Sequence, residues 1–277
     1  MSRVQAVSSF LQSLPLIKGK RRIGRGIMKL TGVFGKTDFL LNTRAGRFYI
    51  PNLKDMISID LFINGYYEKG LVKMLIENIP VNGIFVDVGA NIGSISIPLA
   101  RIRPDIKIIA VEASPWIFSI LKKNVETNNV INITPVNNAV YSESGKTLPM
   151  YAPKDLFGKG SLKAVYTKDA EMVETITIDD IKRRFNLPSI HFIKVDVEGF
   201  EASVFSGMSQ LTISDKPKII FEFSEWAEVA AGFKPCEAQS VIISKGYKIQ
   251  QMDQEFRLVG TPASTLQKVK NANLFAT

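Results

Sequence analysis

The sequence predicts an α/β protein built on a doubly wound sheet, mostly parallel with its last strand reversed, and preceded by an N-terminal extension. Three observations predict it. Short apolar, β-branched runs recur along the chain, as strands buried on both faces of a parallel sheet require. Helical stretches separate these runs in regular alternation, the pattern of βα units covered by helices on both faces. Between Phe85 and Gly93 a strand passes through a glycine turn into a helix, the junction on which Rossmann-like sheets seat their ligands.

In chain order, Val4, Val7, Leu11 and Leu14 fall at i, i+3, i+7 and i+10, an apolar stripe on a short helix that Pro15 ends. Lys18-Gly19-Lys20-Arg21-Arg22-Ile23-Gly24-Arg25 follows as a basic, glycine-bearing turn. Phe39 to Ile50 alternates as a hairpin, and Leu71, Leu75 and Ile76 mark a helix ending near Pro80. Residues 1–60 are read as a basic extension and 61–277 as the α/β domain. Strands are expected at 84–88, 106–111, 132–137, 191–196 and 218–223, with 247–252 and 256–259 closing the sheet as a hairpin. Helices are expected near 93–101, 115–128, 179–185, 199–208 and 235–245. The segment Tyr141 to Thr175, with three glycines and two prolines, breaks this rhythm. It reads as an inserted loop or small hairpin at the carboxyl ends of the strands, where open α/β sheets bind ligands.

Composition narrows the function. Hydrophobic residues make up 45% and charged residues 22%, proportions of a soluble globular chain. No stretch reaches the roughly 18 consecutive apolar residues of a spanning helix, and no secretory signal is read, so a cytoplasmic location is expected. One cysteine, Cys236, and one histidine, His191, are too few for a thiolate or imidazole zinc site. Any metal would sit on oxygens. The net charge of +9 belongs to residues 1–50, which hold ten basic side chains against Asp38, while the remainder balances. An amphipathic segment followed by a basic cluster fits peripheral contact with an anionic membrane surface through residues 1–30. Nucleic acid is not expected, because residues 15–33 lack aromatics between the basic side chains.

Two constellations carry the chemistry. The first is Asp87-Val88-Gly89-Ala90-Asn91-Ile92-Gly93, a turn through which the backbone approaches a ligand closely. Glu112 stands 19 residues beyond Gly93, at the end of the next apolar run, where an acid accepts both hydroxyls of a ribose. The second is His191-Phe192-Ile193-Lys194-Val195-Asp196-Val197-Glu198-Gly199-Phe200-Glu201. Asp196, Glu198 and Glu201 crowd the carboxyl end of that strand and repel unless they bind a cation, share a proton or point apart. Glu201 reads equally well as a helix cap. His191, at the opposite end of its strand, reads as structural.

Together D-V-G-A-N-I-G, V-E-A-S-P, N-N-A-V and I-K-V-D-V-E-G-F-E, in this order, resemble the FkbM-type S-adenosylmethionine-dependent methyltransferases, over roughly Tyr66 to Tyr247. The string K-V-D-V-E-G-F-E is the most specific of these. The resemblance implies a seven-stranded sheet with its last strand antiparallel. It further implies that Asp87, Gly89, Ala90, Asn91 and Gly93 cradle the methionine part of S-adenosylmethionine. Glu112, with Ala113 beside it, would hold the ribose, and Asn138 and Ala139 would lie against the adenine. Glu68, of a Tyr67-Glu68 pair, would meet the cofactor's amino group, and Asp196 would face the transferred methyl. Residues 1–60 match nothing in the family, and His191 stands where the family string more usually opens with an acid.

The reaction that follows is O-methylation of a hydroxyl on a sugar, a polysaccharide or glycolipid, or another polyol-type small molecule, an acceptor class that rests on the resemblance. Asp196 is the first choice for general base and Glu198 the second, since crowded carboxylates titrate nearer neutrality. A divalent cation on the same two acids is the alternative. An N/D-P-P-Y-like turn, as in amino-group methyltransferases of nucleic acids, is absent after the 191–196 strand, and Pro235-Cys236 lies in the wrong place for a cytosine nucleophile. A nicotinamide-dependent oxidoreductase and a non-catalytic binding protein of the same fold are the other classes; the incomplete G-x-G-x-x-G pattern disfavours the former.

Overall fold

The computed structural model describes residues 2–259 and 270–277. The chain runs through α1 (Arg3–Ser13), α2 (Lys20–Leu30), the hairpin β1 (Thr37–Asn42) and β2 (Arg47–Asn52), α3 (Met56–Asn64) and α4 (Lys69–Asn78). Next come β3 (Ile84–Val88), α5 (Ser96–Ile102), β4 (Lys107–Val111), α6 (Pro115–Thr127), β5 (Ile133–Val136) and β6 (Ala139–Val140). The inserted segment contributes β7 (Thr147–Met150), a 3-10 turn at Lys154–Lys159 and β8 (Glu171–Ile176). Then follow α7 (Ile178–Arg184), β9 (Phe192–Val195), α8 (Glu201–Ser206), α9 (Leu211–Ser214) and β10 (Lys218–Ser224). The described chain closes with α10 (Glu225–Ala231), α11 (Glu237–Ser244), β11 (Ile249–Met252), β12 (Leu258–Val259) and β13 (Asn271–Ala276).

The main sheet has the order β12-β11-β13-β10-β9-β3-β4-β5. From β10 to β5 every pairing is parallel, and β13 runs antiparallel to both of its neighbours. Seven strands thus form the expected mostly parallel sheet with a reversed last strand, and two-residue β12 extends its outer edge. The expected closing hairpin exists, but it is not the reversed pair beside β10. That place belongs to Asn271–Ala276, a strand the sequence reading does not contain; its Asn-Ala-Asn start hides the apolar Leu274-Phe275-Ala276 end.

Strand alternation sorts the core into two layers. Phe85, Ile108, Phe192 and Ile220 point into one apolar cluster, with side chains of α1 to α6. Val86, Ile109, Ile193 and Phe221 point into the other, with α7, α8 and α11. The first cluster also takes Leu11, Met28, Phe48 and Phe62, so residues 1–60 pack on the sheet domain. Asn124 of α6 and Asn128, which caps its C-terminus, accept hydrogen bonds from the amides of Tyr49 (2.6 Å) and Arg47 (2.9 Å), which fixes the hairpin to that helix.

The basic stretch 18–25 is a turn only at Lys18 and Gly19. Gly19 enters with φ of +87° and α2 starts at Lys20. Two glycines inside the helix are poor helix formers. Tertiary packing overrides that tendency: Lys20, Gly24 and Met28, spaced four apart, form a buried stripe. A Cβ at Gly24 would stand 2.6 Å from Ile63 Cδ1, so the helix approaches α3 as closely as a glycine allows.

Candidate active site

The carboxyl ends of β3, β4, β9 and β10 and the inserted segment enclose a cavity of about 420 Å³. Gly89, Ala90, Asn91, Glu112, Ala113, Asn138, Ala139, Asp196 and Glu198, all named by the sequence, line it. Asp87, Gly93 and Glu68 do not. Asp87 lies beneath the floor, fully buried, and accepts a hydrogen bond from Ser96 Oγ at 2.6 Å. Gly93 turns the chain with φ of +87° against Ile97 and Leu121. Glu68 borders a small adjoining hollow shared with Lys194, Asp196 and Glu222.

The glycine turn is shaped as much by the protein as by any ligand. Helix α5 begins only at Ser96, three residues beyond Gly93, so the turn is longer than the sequence suggests. Gly89 has φ of +76°, and a Cβ there would lie 1.9 Å from the carbonyl oxygen of Asp196. The end of β9 crosses so close that no side chain fits. Replacing Gly89 with Ala is expected to destabilise the fold by roughly 3–5 kcal/mol, from the positive φ and an overpacked contact. Urea unfolding at constant m-value measures this; a loss under about 1 kcal/mol would mean the strand end yields. Asn91 stands where a dinucleotide turn carries its second glycine and adopts φ of +52°, a conformation asparagine tolerates. Its side chain accepts from Ile92 N and donates to Phe157 O at 3.0 Å, tying the turn to the inserted segment.

Glu112 is buried at the cavity wall, with one carboxylate oxygen accepting from Asn91 N and the other from Ser114 N, each at 2.9 Å. Burial pushes its carboxyl up to about 7, against the lowering effect of those two N–H groups and of Lys194. Asn138 donates to Glu174 O at 3.1 Å and accepts from Arg184 at 3.3 Å.

At the other end of the cavity, Asp196, Glu198 and Glu222 bring carboxylate oxygens within 4.8 Å of one another. Burial and the neighbouring Asp196 raise Glu198 to about 7, while Asp196, reinforced by burial, raises Glu222 to about 8. Two amines offset the cluster. Lys159 of the inserted segment meets Glu198 at 2.6 Å. Lys194, buried on the central strand β9, lies 3.3 Å from Asp196 Oδ2 and 3.6 Å from Asp87 Oδ1, with Gly89 O at 3.4 Å. These acids hold the ammonium charged well above the usual lysine range despite burial. Glu201, by contrast, turns its carboxylate back to Val197 N at 3.1 Å and to Gly199 N, so it closes the turn before α8. His191 Nδ1 accepts from Ile84 N at 3.0 Å at the far end of the sheet, a structural place.

Three contributors escaped the sequence reading. Glu222 is the single acid in Lys218-Ile219-Ile220-Phe221-Glu222-Phe223, a signal that could have flagged it. Lys159 and Tyr166 come from the inserted segment, which reaches the cavity because its backbone is pinned on several sides. Besides the Asn91 contact, Gly158 N donates to Asp55 Oδ2 at 2.9 Å and Ser161 Oγ to Glu198 O at 3.1 Å. Tyr166 lines the mouth, and its ring lies 5.9 Å from that of exposed Trp226 on α10.

The profile of the methyltransferase FkbM domain matches residues 87–259. Methyltransferase sdnD of Sordaria araneosa is 27% identical over 204 residues, covering 63% of this chain and 77% of that protein. Hexuronic acid methyltransferase AglP of Haloferax volcanii is 25% identical over 175 residues, covering 63% of this chain and 67% of that protein. Among solved structures, fibrillarin of Aeropyrum pernix with bound S-adenosyl-L-methionine aligns with a TM-score of 0.45 and 12% identity, covering 87% of this chain and 82% of that one.

Proposed function

The chain belongs to the methyltransferase FkbM domain family, and we propose that it transfers a methyl group from S-adenosylmethionine to a hydroxyl of a sugar, a polysaccharide or glycolipid, or another polyol-type acceptor. One observation carries this reading: the buried acid Glu112 and the acidic cluster around Asp196 line a single cavity at the strand ends. The residues present fit the cofactor. Glu112 offers the acceptor oxygens that ribose hydroxyls need, and Asn138 and Ala139 supply a wall beside them. Gly89, Ala90 and Asn91 bring backbone to the wall, and the hollow beside Glu68 adjoins the same acids. When bound, S-adenosylmethionine supplies an electrophilic methyl on a sulfonium.

The chain's own task is to align the acceptor, exclude water and take one proton. Asp196 is the proposed base at the acceptor hydroxyl. Glu198 comes second, because its ion pair with Lys159, at 2.6 Å, is tighter than the 3.3 Å contact of Asp196 with Lys194. Asp196, Glu198 and Glu222 could together ligate a divalent cation, yet Lys159 and Lys194 already place positive charge on two of the three, which favours the base reading. A sugar acceptor draws support from the relative named as a hexuronic acid methyltransferase. The Tyr166–Trp226 pair adds to it, since exposed aromatic faces at a cavity mouth suit the apolar face of a sugar ring.

Titration calorimetry with S-adenosylmethionine, against NAD as control, tests the reading. Binding of the former alone supports it, and failure to bind overturns it. The affinity carries a signed pH dependence. Ribose hydroxyls donate to the Glu112 carboxylate, and this group takes up its proton near pH 7 in the free chain. Affinity should therefore fall as pH drops through about 7, by up to about tenfold per unit. Folding stability of the ligand-free chain moves the opposite way for this group, because its folded pKa is raised. The contribution is fully present below the ordinary carboxyl range and is lost as pH rises through about 7. Glu112→Gln should bind weakly at every pH with a flat profile; a profile unchanged from the parent would remove Glu112 from the ribose site.

A further inference from the structure

Helix α2 shows two adjoining stripes to solvent. Arg22, Arg25, Gly26 and Lys29, at i, i+3, i+4 and i+7, border a shallow basic groove. Ile23 and Leu30, one position further along in successive pairs of turns, form an apolar edge beside it, and Leu30 is 88% exposed. Leu16 and Ile17 precede the helix and Phe34 follows it, all of them exposed, with Lys29 Nζ 5.6 Å from the Phe34 ring centre. Residues 1–37 contain no acidic side chain. Not every cation of the helix faces outward: Lys20 Nζ donates to Leu14 O at 2.8 Å, and Arg21 pairs with Asp60. These contacts and the buried Lys20-Gly24-Met28 stripe fix the helix's rotation on the domain, so its outer face is a defined surface.

A face that only carried charge in water would not place Leu16, Ile17, Ile23 and Leu30 among the cations. An anionic bilayer takes both parts, with headgroups against the arginines and lysines and the acyl boundary against the apolar edge. A nucleic acid would engage the charge and leave the apolar edge in water. Among the described residues no helix is long and apolar enough to cross a membrane, so the contact lies in the plane of the surface. We propose that α2 and its flanking turns dock flat on an anionic membrane surface. The docked face adjoins the active site: Arg25 Nη2 lies 3.4 Å from Met56 Sδ, and Met56 lines the cavity. Docking therefore brings the Met56 side of the cavity close to the headgroup layer.

Sedimentation of the full chain with phosphatidylcholine vesicles, with and without phosphatidylserine, tests this. The parent should partition onto the anionic vesicles only, and progressively less as salt is added. Replacing Arg22 and Lys29 together with Ala should lower partitioning about 25-fold, near fivefold for each charge lost at the surface. Ile23→Asp with Leu30→Asp should abolish it while the basic stripe stays intact. S-adenosylmethionine titration of each variant should match the parent, which shows the fold intact and keeps this inference separable from the proposed reaction. Partitioning that ignores these substitutions, or equal partitioning onto neutral vesicles, overturns the proposal. So does retention on heparin with no vesicle binding, which would give the face to an acidic polymer.

Discussion

Asp196→Asn is expected to lower the turnover number for a sugar hydroxyl by about 10²–10⁴-fold, the usual contribution of a positioned general base. Asparagine keeps the shape of the side chain and can still accept from Lys194, whose amine lies 3.3 Å from Asp196 Oδ2. The substitution therefore removes proton uptake without emptying the site. Affinity for S-adenosylmethionine should stay within about threefold of the parent, because the proposed ribose contact sits on Glu112 at the end of another strand. The neutral side chain also relieves Glu222, whose carboxyl Asp196 pushes up to about 8. Initial rates of methyl transfer, with calorimetry as the binding control, separate the outcomes. A fall in rate at unchanged cofactor affinity assigns the base. A rate within about threefold of the parent would leave Asp196 a spectator, and Glu198 would be next in line.

Lys194→Met is expected to cost about 3–5 kcal/mol of stability, the penalty for removing one partner of a buried ionic group. Its amine is the counter-charge within ion-pair distance of both Asp87 and Asp196, and Asp87 Oδ1 has no hydrogen-bond partner of its own. The sign with pH follows. Asp87 and Glu68 are already raised by burial, and losing the nearby ammonium raises both further. Each then contributes stability that is present when the carboxyl is protonated and lost as pH rises through its folded value. The variant should therefore be less impaired near pH 5 than near pH 8, as urea unfolding at the two pH values would show. An equal deficit at both would mean that lost packing of the lysine stem, and not uncompensated charge, sets the penalty.

The strands legible in the sequence are those whose apolar runs are bounded by glycine, proline or charge, such as Ile84–Val88 and Lys218–Ser224. Local pattern suffices there, because strands buried on both faces need no alternation. The cavity's two named ends, at Glu112 and Asp196, were legible for a related reason: topology delivers the carboxyl ends of neighbouring parallel strands to one edge. Glu222 was visible as an acid in an apolar run, but its meeting with Asp196 depends on which strand lies beside which. Lys159 and Tyr166 were not legible, since the path of the inserted segment is set by distant partners, Asp55 and Asn91 among them. Helix α2 was misread because its glycines resemble a turn until Ile63 is seen to need the space one of them leaves.

The strand order has a consequence for the nascent chain. β3, β4 and β5 are neighbours in sequence and in space, so each can pair as it emerges. The other edge of β3 waits for β9, more than a hundred residues later. During that interval Ile84-Phe85-Val86-Asp87-Val88 presents an open, apolar edge to every other chain leaving a ribosome nearby. Asp87 is the one charge on that edge. Before Lys194 arrives to neutralise it, a partner strand would have to bury an unpaired carboxylate, which deters illicit pairing. The aspartate later sealed under the cavity floor is thus the one charge that a misplaced partner strand would meet there.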